Sequence, residues 1–115
     1  MRNYPLPIRN ITPKELKSWL DANEDVVVVD VRLPEELEIS RLNFSQHVVL
    51  HELPDRLDEI PKDKNVILVC RSGGRSMQAA FFLANEGWDA DRLFNLDGGI
   101  LAWAREIDPS LPTFY

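Results

Sequence analysis

Two aliphatic runs stand out along the chain: Val26-Val27-Val28-Val29, continuing through Asp30 to Val31, and Val66-Ile67-Leu68-Val69, ending at Cys70. Neither alternates apolar with polar positions, so each predicts a strand of a parallel sheet covered on both faces. Stretches with helical spacing separate them. Thr12-Pro13-Lys14-Glu15 predicts a helix start, with Thr12 as N-cap, Pro13 at the first position and Glu15 closing a capping box. Leu16, Trp19 and Leu20 then share a face, and Asp21 to Asp25 end the helix. Pro34 to Ile39 predicts a short helix with acids near its start. Leu53, Leu57 and Ile60 fall at helical spacing before Pro61. Ser76 to Glu86 predicts the strongest helix, with Ala79, Ala80, Phe82 and Leu83 as packing residues and Gly87 as its stop. Gln46 to Leu50 and Arg92 to Leu96 predict further short strands. Asp97-Gly98-Gly99 reads as a tight turn, Ile100 to Ile107 as a last helix, and the tail to Tyr115 as extended over the surface. Strands alternating with helices predict an α/β fold with a mostly parallel sheet. Ligands of such sheets bind beyond the C-terminal strand ends, and Cys70 lies at one of them.

Composition narrows the function classes. The 115 residues predict a single domain over 1–115, and 44% hydrophobic with 28% charged residues is the profile of an ordinary globular protein. A formal net charge of -6 argues against nucleic acid as a partner. No apolar run is long enough to span a membrane. Met1-Arg2-Asn3-Tyr4-Pro5 is followed by no apolar stretch, so no signal peptide is expected and a cytoplasmic location is. One cysteine excludes an internal disulfide, and in the cytoplasm its thiol stays reduced. His47 and His51 have no cysteine or carboxylate at ligand spacing, so no metal or other cofactor is expected. Acids gather before the cysteine, at Glu35, Glu36, Glu38, Glu52, Asp55, Asp58 and Glu59, whereas the charges beside it are Arg71 and Arg75. That basic spot on an acidic chain predicts a small anionic substrate.

Cys70-Arg71-Ser72-Gly73-Gly74-Arg75-Ser76 therefore carries the candidate chemistry. A thiol reacts as its thiolate, and a helix N-terminus with free N–H groups stabilises an anion. Gly73 and Gly74 allow successive loop N–H groups to converge as an anion-binding nest and leave space beside the sulfur. Arg71 and Arg75 are candidates to bind an oxyanion through charge-assisted hydrogen bonds. Ser76 either caps the helix or donates to the sulfur. No second thiol exists to resolve an oxidised sulfur, so an external acceptor must discharge it.

Three stretches, in this order, resemble the rhodanese-like sulfurtransferases: Val28-Val29-Asp30-Val31-Arg32-Leu33-Pro34-Glu35-Glu36, then Val69-Cys70-Arg71-Ser72-Gly73-Gly74-Arg75-Ser76, then Asn95-Leu96-Asp97-Gly98-Gly99-Ile100-Leu101-Ala102-Trp103. The resemblance implies a three-layer rhodanese-like fold. It also implies a Cys70 persulfide that takes sulfane sulfur from a donor such as thiosulfate and gives it to a thiol, cyanide or protein acceptor, with Arg71 to Ser76 binding substrate. Asp30 and Arg32 match the family as loop supports, bonding to each other or to loop backbone. Four residues separate Cys70 from Arg75, one fewer than in tyrosine-phosphatase-like loops, which favours sulfur over phosphoryl chemistry. Ser40-Arg41-Leu42-Asn43-Phe44-Ser45 departs from the Gly-His-Ile-Pro-Gly-Ala of many members. With the ending Ala102 to Pro112 it looks closer to rhodanese domains fused behind E1-like adenylyltransferases, which pass sulfur to ubiquitin-like carriers. A relay module with little small-molecule turnover is thus the alternative reading, with Phe44 as the aromatic expected to meet a partner.

Overall fold

The two aliphatic runs form the centre of a five-stranded sheet. The computed structural model describes residues 8–115, and the absent export signal read at Met1 to Pro5 lies outside them. The strands are β1 (Arg9–Ile11), β2 (Val26–Asp30), β3 (Gln46–His47), β4 (Asn65–Val69) and β5 (Leu93–Leu96). They run in the order β1-β5-β4-β2-β3 and every pairing is parallel. The helices are α1 (Pro13–Asp21), α2 (Pro34–Ile39), α3 (Gly74–Asn85) and α4 (Gly99–Glu106).

Alternation along the central strands divides the core in two. Val29, Val66 and Leu68 face Ala79, Ala80 and Leu83 of α3 together with Leu53 and Ile60. Val28, Ile67 and Val69 face Leu16 of α1 and Ile100 and Trp103 of α4. Both faces of the sheet are covered, which is why β2 has no polar position before Asp30 and β4 has none after Asn65. The three layers match the α/β fold expected from the sequence.

Several elements depart from the sequence reading. β3 spans only two residues rather than Gln46 to Leu50, although Val48 and Leu50 still donate to the Asp30 and Val31 carbonyls. Leu53 to Ile60 is not one α-helix. Two 3-10 turns, Leu50–Asp55 and Leu57–Glu59, occupy the stretch, and Pro54 inside the first removes a donor that a regular helix needs. The strongest helix starts at Gly74, two residues before the expected Ser76. β1 adds an edge strand for which the sequence pattern carries no signal. The capping box at Thr12 forms as expected, with Glu15 N–H donating to Thr12 Oγ1 and Thr12 N–H to Glu15 Oε1.

Candidate active site

Cys70 directly follows β4, with the sheet on one side and the start of α3 on the other. Gly73 is the N-cap of α3 at φ +117°, a region that a side chain would strain. That conformation turns the Gly73 N–H back to donate to Cys70 Sγ at 3.0 Å. Ser76 does not cap the helix. Its hydroxyl lies 3.2 Å from the sulfur, in position to donate to it. Burial pushes the Cys70 thiol pKa up. The Ser76 hydroxyl and the N–H groups of Ser76, Gly73 and Ser72 push it down further, so it lies below the ordinary thiol value. A Cβ built on Gly74 would meet nothing within 4 Å, so open space adjoins the loop.

The two loop arginines are differently engaged. Arg75 forms a two-pronged ion pair with Glu36 of α2, Nη1 to Oε1 at 2.5 Å and Nη2 to Oε2 at 2.9 Å. Glu36 Oε1 also accepts the Leu33 N–H at 3.0 Å, so this carboxylate ties the start of α2 to the cysteine loop. The hydrogen bond from Arg75 holds the Glu36 pKa down at about 2, against the cost of its burial. Arg71 makes no ion pair among the described residues, and its buried Nε has no hydrogen-bond partner there. Its guanidinium lies 5.2 Å from the ring centroid of Tyr115, which the tail brings back to the loop.

Asp30 and Arg32 bond to each other beneath this region, both fully buried. Arg32 Nε and Nη2 donate to the Asp30 carboxylate, Nη2 also to the Ser40 carbonyl, and Nη1 to the Ser40 and Tyr115 hydroxyls. Every guanidinium nitrogen is thereby satisfied, so the pair is a fixed support for the strand end. His47 Nε2 donates to the Arg32 carbonyl at 2.6 Å. Phe44 is 38% exposed and packs against Trp103, with ring centroids 5.3 Å apart.

Some residues of the site escaped the sequence reading. The sequence marks Asn95 only as part of a motif, yet it touches Ser76, and Asn10 touches Asn95. The Asp97-Gly98-Gly99 turn does more than deliver the last helix. The Ile100 and Leu101 N–H groups donate to the Cys70 and Arg71 carbonyls at 2.9 and 3.2 Å, so the start of α4 clasps the loop.

The family model for the rhodanese-like domain matches residues 12–106. The chain belongs to the rhodanese-like family. A sulfurtransferase of Allochromatium vinosum is 41% identical over 98 residues, 85% of this chain and 90% of that protein. The thiosulfate sulfurtransferase GlpE of Stutzerimonas stutzeri is 33% identical, with 89% of each chain covered. The adenylyltransferase and sulfurtransferase MOCS3 of Arabidopsis thaliana is 32% identical over 90% of this chain, which spans 25% of that longer protein. Among solved structures, a rhodanese-like domain protein from Staphylococcus aureus superposes with a TM-score of 0.76 at 32% identity, covering 83% of this chain and 90% of that one. Sulfur transfer is the general activity that these rhodanese-like relatives support for the chain.

Proposed function

We propose that the protein moves sulfane sulfur from an anionic donor such as thiosulfate to a thiophilic acceptor through a Cys70 persulfide. The observation that carries this reading is the set of donors around one buried sulfur at a strand end, Gly73 N–H at 3.0 Å and Ser76 Oγ at 3.2 Å. In the first step the Cys70 thiolate attacks the outer sulfur of thiosulfate. A new S–S bond forms, the old one breaks, and sulfite leaves with its electron pair. The charge then rests on the outer persulfide sulfur. In the second step an acceptor thiolate or cyanide attacks that sulfur, and the Cys70 thiolate departs. The loop amides serve both steps by stabilising negative charge at a buried sulfur.

Arg71 is the residue we assign to the donor's sulfonate, because no carboxylate among the described residues engages its charge. Arg75 would act on substrate mainly by holding the loop, since Glu36 occupies its guanidinium. A thiosulfate:cyanide assay of three variants tests this division. Cys70→Ser should abolish turnover. Arg71→Ala should raise the donor KM about tenfold with kcat nearly kept. Arg75→Ala should lower kcat more than it changes KM. Turnover surviving in Cys70→Ser would end the proposal, and a KM effect confined to Arg75→Ala would reverse the assignment.

The second reading is a sulfur relay to a ubiquitin-like carrier, in a cytoplasm that keeps the thiol reduced. The likeness to a rhodanese domain of an adenylyltransferase–sulfurtransferase supports it, as do the exposed Phe44 and the altered 40–45 segment. Slow thiosulfate turnover alongside fast transfer to a carrier's C-terminus would favour it.

A further inference from the structure

The Ser76 hydroxyl has one proton and two acceptors within reach. Its Oγ lies 3.2 Å from Cys70 Sγ and 2.5 Å from Asn95 Oδ1. Ser76 is 0% and Asn95 4% exposed, so bulk water is not a third partner. The Asn95 carboxamide is held from behind. Its Nδ2 donates to Asn10 Oδ1 at 3.0 Å, and Asn10 stands opposite it in register on β1. Asn95 Oδ1 is thereby turned toward Ser76. A hydroxyl donates once, so the charge on sulfur decides where the proton points. A thiolate is a charge-assisted acceptor and wins over a neutral amide oxygen. A neutral sulfur is a weak acceptor and loses.

We propose that Asn95 is a positioning residue, which accepts the Ser76 hydroxyl proton while the Cys70 sulfur is neutral and yields it when that sulfur becomes charged. The inference rests on the reading of Cys70 as the sulfur carrier and adds a part to it. When the persulfide forms, charge moves from Sγ to the outer sulfur, and the Ser76 hydroxyl rotates to Asn95. When the acceptor removes the outer sulfur, the S–S electron pair returns to Sγ. The hydroxyl rotates back and stabilises the departing thiolate. Asn95 keeps a buried hydroxyl satisfied through the half of the cycle in which sulfur makes no demand on it.

Two donor-free measurements test this, so a protein that failed to form a persulfide would still decide it. The first follows the Asn95 side-chain carbonyl by carbon-13 NMR while Cys70 titrates in the wild type and in Ser76→Ala. The Asn95 signal should move with the Cys70 midpoint in the wild type, and most of that movement should vanish without the hydroxyl. A flat wild-type signal, or the same movement in Ser76→Ala, would overturn the proposal. The second takes the thiol pKa from the pH dependence of iodoacetamide alkylation. Ser76→Ala should raise it by about one unit, and Asn95→Leu, which removes the competing acceptor, should lower it by about half a unit. Asn95→Leu in the Ser76→Ala background should add nothing. A rise in Asn95→Leu, or an equal shift in both backgrounds, contradicts the assignment. Should Asn95→Leu not fold, the wild-type titration decides alone. The charged groups near the sulfur, Arg75 with its Glu36 partner from α2 and Arg71 in the loop, are unsubstituted in every variant, as is the Tyr115 phenol from the tail.

Discussion

Two neighbouring strands end in the same way and use that ending differently. β4 passes through Cys70 to Gly73 and into α3, and β5 passes through Asp97 to Gly98 and into α4. Each helix has a left-handed glycine as its N-cap, at φ +117° and +75°. Each therefore presents free N–H groups at the C-terminal edge of the sheet. The first handover turns the Gly73 N–H onto a sulfur, whereas the second turns the Ile100 and Leu101 N–H groups onto the carbonyls of the first. The strand–glycine–helix pattern alone does not make a catalytic loop. A site arises where the converging donors meet a group that can carry charge. Where they meet carbonyls, the same device becomes a buttress.

The largest expected effect breaks the buttress. A Cβ on Gly99 would stand 2.4 Å from the Arg71 carbonyl oxygen, and Gly99 has φ +62°. Gly99→Ala should cost about 3 kcal/mol or more, because backbone on both sides must move. Thermal unfolding checks this, and a melting temperature within a degree or two of wild type would remove α4 from the support of the loop.

Next comes the sulfur side. A Cβ on Gly73 has room, its nearest neighbour being Asn95 Nδ2 at 3.5 Å, so the cost is conformational. Gly73→Ala should lose about 1 kcal/mol of stability. It should also raise the thiol pKa as its N–H swings off the sulfur, and alkylation against pH reports that. An unchanged thiol pKa would show that this amide does not help hold the anion.

A smaller effect concerns the clamp that ties the loop to α2. Folding lowers the Glu36 pKa from 4.5 to about 2, so the native state favours the ionised form. The stabilisation is complete above the unfolded pKa, and it fades as pH falls from about 4.5 toward about 2. With Arg75 partly open to solvent, about 0.5–1 kcal/mol is expected from the pair near neutrality. Glu36→Gln should lose that stability at pH 7 and converge on the wild type near pH 2 in denaturant titrations. A pH-independent difference would contradict the ionic account.

The smallest effect sharpens the comparison. Gly74 borders open space without a positive φ, so Gly74→Ala should leave the fold intact or stabilise it by about 0.5 kcal/mol. Of the two adjacent glycines in the loop, only Gly73 has a backbone that demands glycine. Equal damage from both substitutions would argue against that distinction.

Much of this was legible from the sequence wherever the signal was local. The uniform aliphatic runs predicted the two central strands because burial on both faces removes alternation. Thr12 to Glu15 predicted a helix start because all the partners of a capping box lie within four residues. The cysteine loop was legible because its thiol, glycines and helix start are contiguous. Long-range partnerships were hidden. β1 is three residues of mixed polarity, and pairing with β5 more than eighty residues later makes it a strand. Glu36 meets Arg75 across 39 positions and Tyr115 meets Arg32 across 83. Asn95 sits in a buried strand where its neighbours are apolar, and nothing local marks it as a partner of Ser76.

The central claim is that the β4 handover holds a transferable sulfur on Cys70. Intact-protein mass measured after incubation with thiosulfate, with Cys70→Ser treated in parallel, tests it most directly. The account predicts a gain of one sulfur atom in the wild type alone, reversed by cyanide. An unchanged wild-type mass, or the same gain in Cys70→Ser, would contradict it.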